Sequence, residues 1–313
     1  MKRYLQIIIG FMLIAMMLVA GCGQAATDTD SGSMPAMGST VTVTVLDIGQ
    51  GDAILIQTGE KNVLIDTGDD KYYEDGKKGK SNEQLFDSLK KLDVTAIDTL
   101  VMTHAHADHI GKAAKVISKY SVKELVYNGI PSTSKYFVGA LKAAKEQGTQ
   151  QVKVKAGDEL DFGSGVTYKV LSPDKALIDE DTAKVKAKEK VDVNNESVVG
   201  MLVYGDFAML LTGDAESTIE KNMVAGYGSQ LQAKVLKAGH HGSKTSSSSD
   251  LLKAVAPEAV IMSLGTNNQY GHPHEAMLER LQKQGIRNIF RTDRNGAITI
   301  ATDGKTYSIT TEK

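Results

Sequence analysis

All seven histidines of this chain fall in three short clusters, and nothing else in the sequence constrains the fold as strongly. They are His104, His106 and His109; His240 and His241; and His272 and His274. The first cluster reads Thr103-His104-Ala105-His106-Ala107-Asp108-His109. On an extended segment or tight loop, alternate side chains point the same way. His104, His106 and the Asp108–His109 pair can therefore converge on one point. Imidazole nitrogens together with a carboxylate form a ligand set that suits zinc or manganese. A merely solvated loop would have no reason to crowd four such groups. The preceding run, residues 97–102, is mostly apolar and reads as a buried strand that delivers the loop.

The N-terminus reads as a targeting signal. Lys2 and Arg3 precede an apolar run over 7–19, which is short for a membrane span. The run ends in Val19-Ala20-Gly21-Cys22, which resembles the lipobox of bacterial lipoproteins. Cleavage before Cys22 would leave its thiol to carry lipid, and two or more acyl chains suffice for stable anchoring. Cys22 is the single cysteine, so the chain has neither a disulfide framework nor a cysteine metal ligand. The expected organisation is a signal peptide over 1–21, a flexible tether rich in small and polar residues over 22–40, and one large domain over 41–313. Its location would be the extracytoplasmic face of the bacterial membrane. The chain has 36 basic and 38 acidic residues, a net charge of −2, and removing Lys2 and Arg3 takes this to −4. A weakly acidic body gives no bulk attraction for nucleic acid.

Within the body, strand patterns are expected at 41–46, 53–57, 62–65, 97–103, 124–127, 151–154, 166–171, 197–203, 207–211, 233–237 and 259–263, with short strands near 289, 298 and 307. Helical spacing marks 83–92, 112–118, 134–147, 215–224, 249–255 and 274–284. Residues 69–82 read as a polar loop and 176–191 as a solvated, lysine-rich insertion. Strands interleaved with helices in both halves, each half carrying histidine loops, suit an α/β fold of two packed sheets with helices outside.

Over nearly all of 41–313 the chain resembles a metallo-β-lactamase-fold hydrolase, and within that superfamily the hydrolase domain of ComEC-type competence proteins. The resemblance rests on the His-x-His-x-Asp-His string and on five further strings: Leu46-Asp47-Ile48-Gly49-Gln50-Gly51-Asp52, Ile65-Asp66-Thr67-Gly68, Leu211-Thr212-Gly213-Asp214, Gly239-His240-His241-Gly242-Ser243, and Tyr270-Gly271-His272-Pro273. It implies a metallo-β-lactamase-like four-layer αβ/βα sandwich and one or two zinc ions, with manganese as the alternative. His104 and His106 would serve a first ion, Asp108 and His109 a second, and Asp214 would bridge them. One of His240 and His241 would complete the second ion, with the other turned away as a donor to substrate or an outer contact. Asp52 and Asp66 are expected to brace the histidine loop, and Asp47 is grouped with them.

The chain departs from the superfamily at one point. The resemblance implies another histidine for the first ion, but no histidine lies between 110 and 239, and Asn194-Asn195-Glu196-Ser197 stands at the matching place. The first ion is then left with three protein ligands, His104, His106 and Asp214, and is expected to bind more weakly. Asn195 and Ser197 become candidates to orient substrate, Asp108 to orient an attacking water, and His241 to act on a scissile oxygen.

The function implied is an exported, lipid-anchored, metal-dependent hydrolase acting on a phosphoester, with extracellular DNA as first choice. The alternatives are a phosphorylcholine or teichoic-acid esterase of the cell envelope and a metal-bound binding lipoprotein without turnover. The sequence leaves the oligomeric state open.

Overall fold

Several central strands of this chain are buried on both faces, which is why they read as nearly unbroken apolar runs. In Val41–Val45 the side chains of Val41, Val43 and Val45 point into a core between two sheets. In Ile54–Gln57 the side chains alternate, with Ile54 and Ile56 in that core and Leu55 in a second core outside it. Residues 63–65 repeat the pattern, with Leu64 outward. Each fully buried Val, Leu or Ile contributes roughly 1.5–3 kcal/mol.

A computed structural model describes residues 40–74, 77–81 and 83–313. The segments expected to be a signal peptide and tether, residue 40 apart, lie outside the described residues. Among those described, an eight-stranded sheet runs in the order Tyr307–Thr311, Ile298–Thr302, Val41–Val45, Ile54–Gln57, Asn62–Ile65, Ala96–Val101, Ser121–Tyr127, Gln150–Lys153. It is antiparallel as far as Asn62–Ile65 and parallel beyond. A seven-stranded sheet runs Asn288–Arg291, Ala259–Met262, Val235–Lys237, Phe207–Leu211, Val199–Tyr204, Thr167–Ser172, Glu159–Asp161. Its first four members are parallel and the rest antiparallel.

Helices cover the outer faces. Gln84–Lys91, Ala113–Lys119 and Lys135–Gln147 bury Leu85, Leu89, Val116, Ile117, Phe137 and Ala140 against the first sheet. Ser217–Tyr227, Ser249–Val255 and Glu275–Lys283 do the same for the second with Ile219, Met223, Leu251, Leu252, Met277 and Leu281. The result is the four-layer αβ/βα sandwich expected. The chain's last two strands join the first sheet beside Val41–Val45.

Two expectations fail. Residues 69–82 are not a loop throughout, because Lys71–Glu74 pairs antiparallel with Lys77–Ser81. The insertion at 176–191 is largely the helix Lys175–Ala187, capped where Asp174 accepts from the Leu177 N–H at 2.8 Å and ended by Lys188 in the left-handed region. Pairs four residues apart support this helix: Lys175–Asp179 at 2.5 Å and Lys184–Glu180 at 2.7 Å. Its face carries mostly charge, so no apolar period announced it.

Parallel strands of both sheets end at one edge of the sandwich. Asp66 follows Ile65, Thr103 follows the strand Ala96–Val101, Asp214 follows Phe207–Leu211, and His240 and His241 follow Val235–Lys237. Loops at the carboxyl ends of parallel strands are where such sheets place their sites.

Candidate metal centre

The first histidine loop is held from beneath. Asp66 is fully buried at positive φ, and its carboxylate accepts from the Thr103 N–H at 2.8 Å and the Thr103 hydroxyl at 2.6 Å. It also accepts from His109 Nδ1 at 2.7 Å. That bond fixes the tautomer and aims His109 Nε2 into the cleft. His106 sits on extended backbone just before the short helix Ala107–Ile110 and His104 in the bend preceding it, and their rings meet edge to face, with His104 Nε2 3.1 Å from His106 Nδ1. Behind His104, Nδ1 lies 3.1 Å from Thr103 Oγ1 and 3.3 Å from Ser197 Oγ.

Asp214 meets these rings from the second sheet. Its Oδ1 is 3.1 Å from His109 Nε2, and its Oδ2 is 3.8 Å from His104 Nε2. His241 directs Nε2 at the same carboxylate, 3.6 Å from Asp214 Oδ2 and 3.4 Å from Asp108 Oδ2. Its Nδ1 donates to the Ser263 carbonyl at 2.9 Å and lies 3.3 Å from Asp52 Oδ1. Asp52 therefore acts on the far side of the His241 ring. Proximity alone would count Asp52, His109, Asp214 and His241 as a metal-holding group. The other oxygen of Asp52, however, accepts from the fully buried Lys237 ammonium at 2.8 Å. One Asp52 oxygen is thus taken by Lys237, the other lies behind the His241 ring without a hydrogen bond, and Asp108 is the carboxylate that lines the cleft.

His240 corrects one expectation. Extended backbone would let only one of the two neighbouring histidines face the cluster, but both do: His240 Nε2 is 3.8 Å from Asp214 Oδ2. Its Nδ1 lies 3.2 Å from Glu216 Oε1. Both residues adopt the left-handed region, with φ of 50° and 54°, which turns consecutive side chains toward one carboxylate. Non-glycine residues held this way cost of order 1–3 kcal/mol each and gather at functional sites.

Ser197 and Asn195 depart from their expected roles. Ser197 is wholly buried, and its hydroxyl accepts from the Asp214 N–H at 3.1 Å and donates to the Asn194 carbonyl at 2.7 Å. It positions His104 and Asp214 and has no opening to substrate. Asn195 is turned to Asp192, at 2.8 Å, and accepts from the Glu216 N–H at 3.0 Å. Its neighbour Asn194 is the one that lines the cleft. Asp47 pairs with Lys313 at 3.1 Å near the surface, away from the cluster. Reading the sequence missed Thr103, Glu216 and Lys237. A lysine closing the buried strand Val-Leu-Lys was the available signal for Lys237.

The donor set fits a divalent cation. His109 Nε2, His241 Nε2 and Asp214 Oδ1 are buried without a well-formed hydrogen bond, although all three point into the same small space. Groups so placed need a partner. Charge argues the same way. Burial would push the His109 proton off, but Asp214 and Asp66 hold its pKa well above the usual imidazole range. Burial likewise works against protonated His241, and Asp214, Asp108 and Asp52 overturn it, raising the pKa to about 10. Burial would raise Asp214, yet His109 and His241 keep it well below the usual carboxylate range. This anionic nest draws positive charge to its rings, and a metal satisfies that demand with the nitrogens deprotonated.

The cluster opens into a cleft of about 270 Å³ lined by Gln50, His106, Asp108, Asn194, Tyr270 and His272 among others. Gly51, at φ 125°, packs under the Asp108 loop, and a Cβ there would stand 2.1 Å from the Asp108 carbonyl oxygen. His272 lies at the rim, its ring centroid 5.6 Å from that of His240 and stacked on the half-exposed Tyr270. His274 caps the helix Glu275–Lys283 on the outside, and its Nδ1 accepts from the Lys244 N–H at 3.0 Å.

Comparison with known proteins places this geometry. Residues 46–266 match the family described as the Metallo-beta-lactamase superfamily. ComE operon protein 3 of Bacillus subtilis (strain 168) is 34% identical over 275 residues, covering 84% of this chain and 33% of that protein. Competence protein ComA of Neisseria gonorrhoeae is 32% identical over 256 residues, covering 82% of this chain and 31% of that one. The chain thus spans about a third of the length of these relatives. Among solved structures, the metallo-beta-lactamase fold protein YhfI from Bacillus subtilis aligns with a TM-score of 0.52 at 11% identity, over 84% of this chain and 100% of that one. Igni18, a novel metallo hydrolase from the archaeon Ignicoccus hospitalis, aligns with a TM-score of 0.51 at 16% identity, over 83% and 98%. At such identities the likeness is one of fold.

Proposed function

The chain belongs to the metallo-β-lactamase superfamily, and on that premise we propose that it is a metal-dependent phosphodiesterase, with DNA as the preferred substrate. One observation carries the reading: ring nitrogens braced from behind converge with Asp214 and Asp108 at the floor of an open cleft. The competence relatives favour nucleic acid among phosphodiesters, by their names and by 32–34% identity over this region.

In this reading His104, His106, His109, His240, His241, Asp108 and Asp214 hold two divalent ions, zinc or manganese. When bound, these supply Lewis acidity toward a phosphoryl oxygen and an activated water. The rest is the work of the chain. Asp108, one quarter exposed beside the cluster, orients the attacking water through its cleft-side oxygen. His272 lines the cleft beside His240, and its buried Nδ1 has no hydrogen-bond partner in the protein. Asp66, Asp52 and Thr103 keep the rings from turning, so little reorganisation is needed during reaction.

We also propose that lipid on Cys22 holds the domain at the outer face of the cell membrane, with 23–40 as tether. No helix among the described residues is long and apolar enough to cross a membrane. Labelled palmitate should enter the wild type and not Cys22→Ala, and equal labelling of both would end the anchoring proposal.

The activity test compares wild type with Asp108→Asn on single-stranded DNA, duplex DNA, bis(p-nitrophenyl) phosphate, a choline phosphoester and nitrocefin, with zinc or manganese added. DNA and the model diester should turn over in wild type alone. Turnover of the choline phosphoester only would favour the envelope-esterase alternative. Identical behaviour of the two proteins on every substrate would leave a metal-binding lipoprotein without turnover.

A further inference from the structure

The sequence leaves one metal position short. No histidine lies between 110 and 239, and Ser197, near the matching place, is occupied in supporting His104 and Asp214. We infer that His240 supplies the missing ligand from the opposite wall of the cleft, with Glu216 as the positioning residue that aims its ring. The inference rests on the two-metal reading above.

Three observations carry it. The first is distance. A tetrahedral site with bonds of about 2.0–2.1 Å separates its ligand atoms by roughly 3.3 Å. His104 Nε2 lies 3.1 Å from His106 Nδ1, and His104 Nε2 and His240 Nε2 each lie 3.8 Å from the same oxygen, Asp214 Oδ2. Asp214 Oδ2 is thus approached by His104 and by His240 at the same distance. The second position uses the other oxygen, Oδ1, beside His109, and Asp108; His241 Nε2 lies 3.4 Å from Asp108 Oδ2 and 3.6 Å from Asp214 Oδ2, between the two positions.

The second observation is the brace. Ligating histidines commonly give their remaining ring nitrogen to a carboxylate. His109 has Asp66 behind it, and His241 gives Nδ1 to the Ser263 carbonyl with Asp52 alongside at 3.3 Å. His240 Nδ1 has the Glu216 carboxylate beside it at 3.2 Å, and that carboxylate is itself fixed by the Thr245 hydroxyl, which donates to Oε1 at 3.0 Å. A histidine turned aside as a spare would not need this arrangement.

The third is the backbone. Two consecutive non-glycine residues in the left-handed region are costly, and His240 and His241 adopt it together. The turn is what puts both rings on one carboxylate. His240 remains one quarter exposed, open to the cleft. The first position therefore has four protein ligands, His104, His106, His240 and Asp214. This revises the sequence-based expectation of a weak, three-ligand first ion.

Titrating the metal-free full-length chain with Co²⁺ tests the inference, reading bound metal per chain and the visible ligand-field spectrum. Wild type should take two ions. His240→Ala should take one tightly and lose the other by about 100-fold or more in affinity, with the spectrum of the retained ion unchanged. Glu216→Gln should still take two but weaken one of them by about 10–100-fold. His241→Ala should spare the ion that His240→Ala loses. Circular dichroism monitors folding, and if His240→Ala does not fold, the Glu216→Gln titration decides. Two ions of unchanged affinity and spectrum in His240→Ala or in Glu216→Gln would overturn the inference and leave the two-metal reading standing. A wild type that binds no Co²⁺ would overturn both.

Discussion

His109 donates from Nδ1 to Asp66 Oδ2 over 2.7 Å, with both side chains wholly excluded from solvent. The same carboxylate also receives the N–H and hydroxyl of Thr103, so a single residue ties the two sides of the histidine loop to the strand before it. Asp66→Ala should lower metal affinity by about 10–100-fold. It should also cost roughly 1–3 kcal/mol of stability, because the Thr103 N–H is left buried without a partner. Chelator competition and urea unfolding measure the two effects separately. Unchanged metal affinity would mean that His109 is not a ligand.

Asp108 sits above that brace, at the cleft. Asp108→Asn keeps the shape and removes the charge facing His241 Nε2. Turnover of the phosphodiester should fall by about 10²–10⁴-fold, while the thermal midpoint moves little. Asp214→Asn should lose bound metal as well as rate, since Asp214 lies within 3.8 Å of four imidazole rings.

Lys237 and Asp52 form an ion pair with no solvent access, at 2.8 Å. Removing one member of such a pair leaves an unpaired buried charge and typically costs about 3–5 kcal/mol. Lys237→Met should show this in urea unfolding. The double variant Lys237→Met with Asp52→Asn should recover part of it. A double variant whose loss equals the sum of the singles would show that the pair contributes no coupling.

Lys112 is buried, its ammonium donating to the carbonyls of Thr67 and Asp69. Burial, opposed by the Asp69 carboxylate, brings its pKa down to about 8 from 10.5. A depressed folded-state value favours the neutral amine. The stability it contributes is fully present above the unfolded pKa and is lost as pH falls through about 8. Over that window the change is roughly 3 kcal/mol for a group this deeply placed. Wild type should therefore gain stability relative to Lys112→Met as pH rises from 7.5 to 10.5, by about that amount. A difference that stays flat across the range would contradict it.

The sequence by itself determined the sandwich and the main donors. Continuous apolar strands such as Ile54–Gln57 can be buried only between two layers, and the string from His104 to His109 brings its donors together within six residues of chain. Other features were decided only when distant segments met. Glu216 becomes a brace because the turn at His240 and His241 folds onto it, and Lys237 finds Asp52 across 185 positions of chain. Ser197 read as a substrate contact because it stands where a ligand was expected, yet packing under Asp214 closes it off. The helix Lys175–Ala187 left no apolar period, since ion pairs and caps rather than a buried stripe support it. Whether one or both of His240 and His241 face Asp214 turned on their backbone. Neighbouring side chains on ordinary extended backbone point apart, and only the left-handed turn, fixed by the surrounding loops, brings both rings to Asp214.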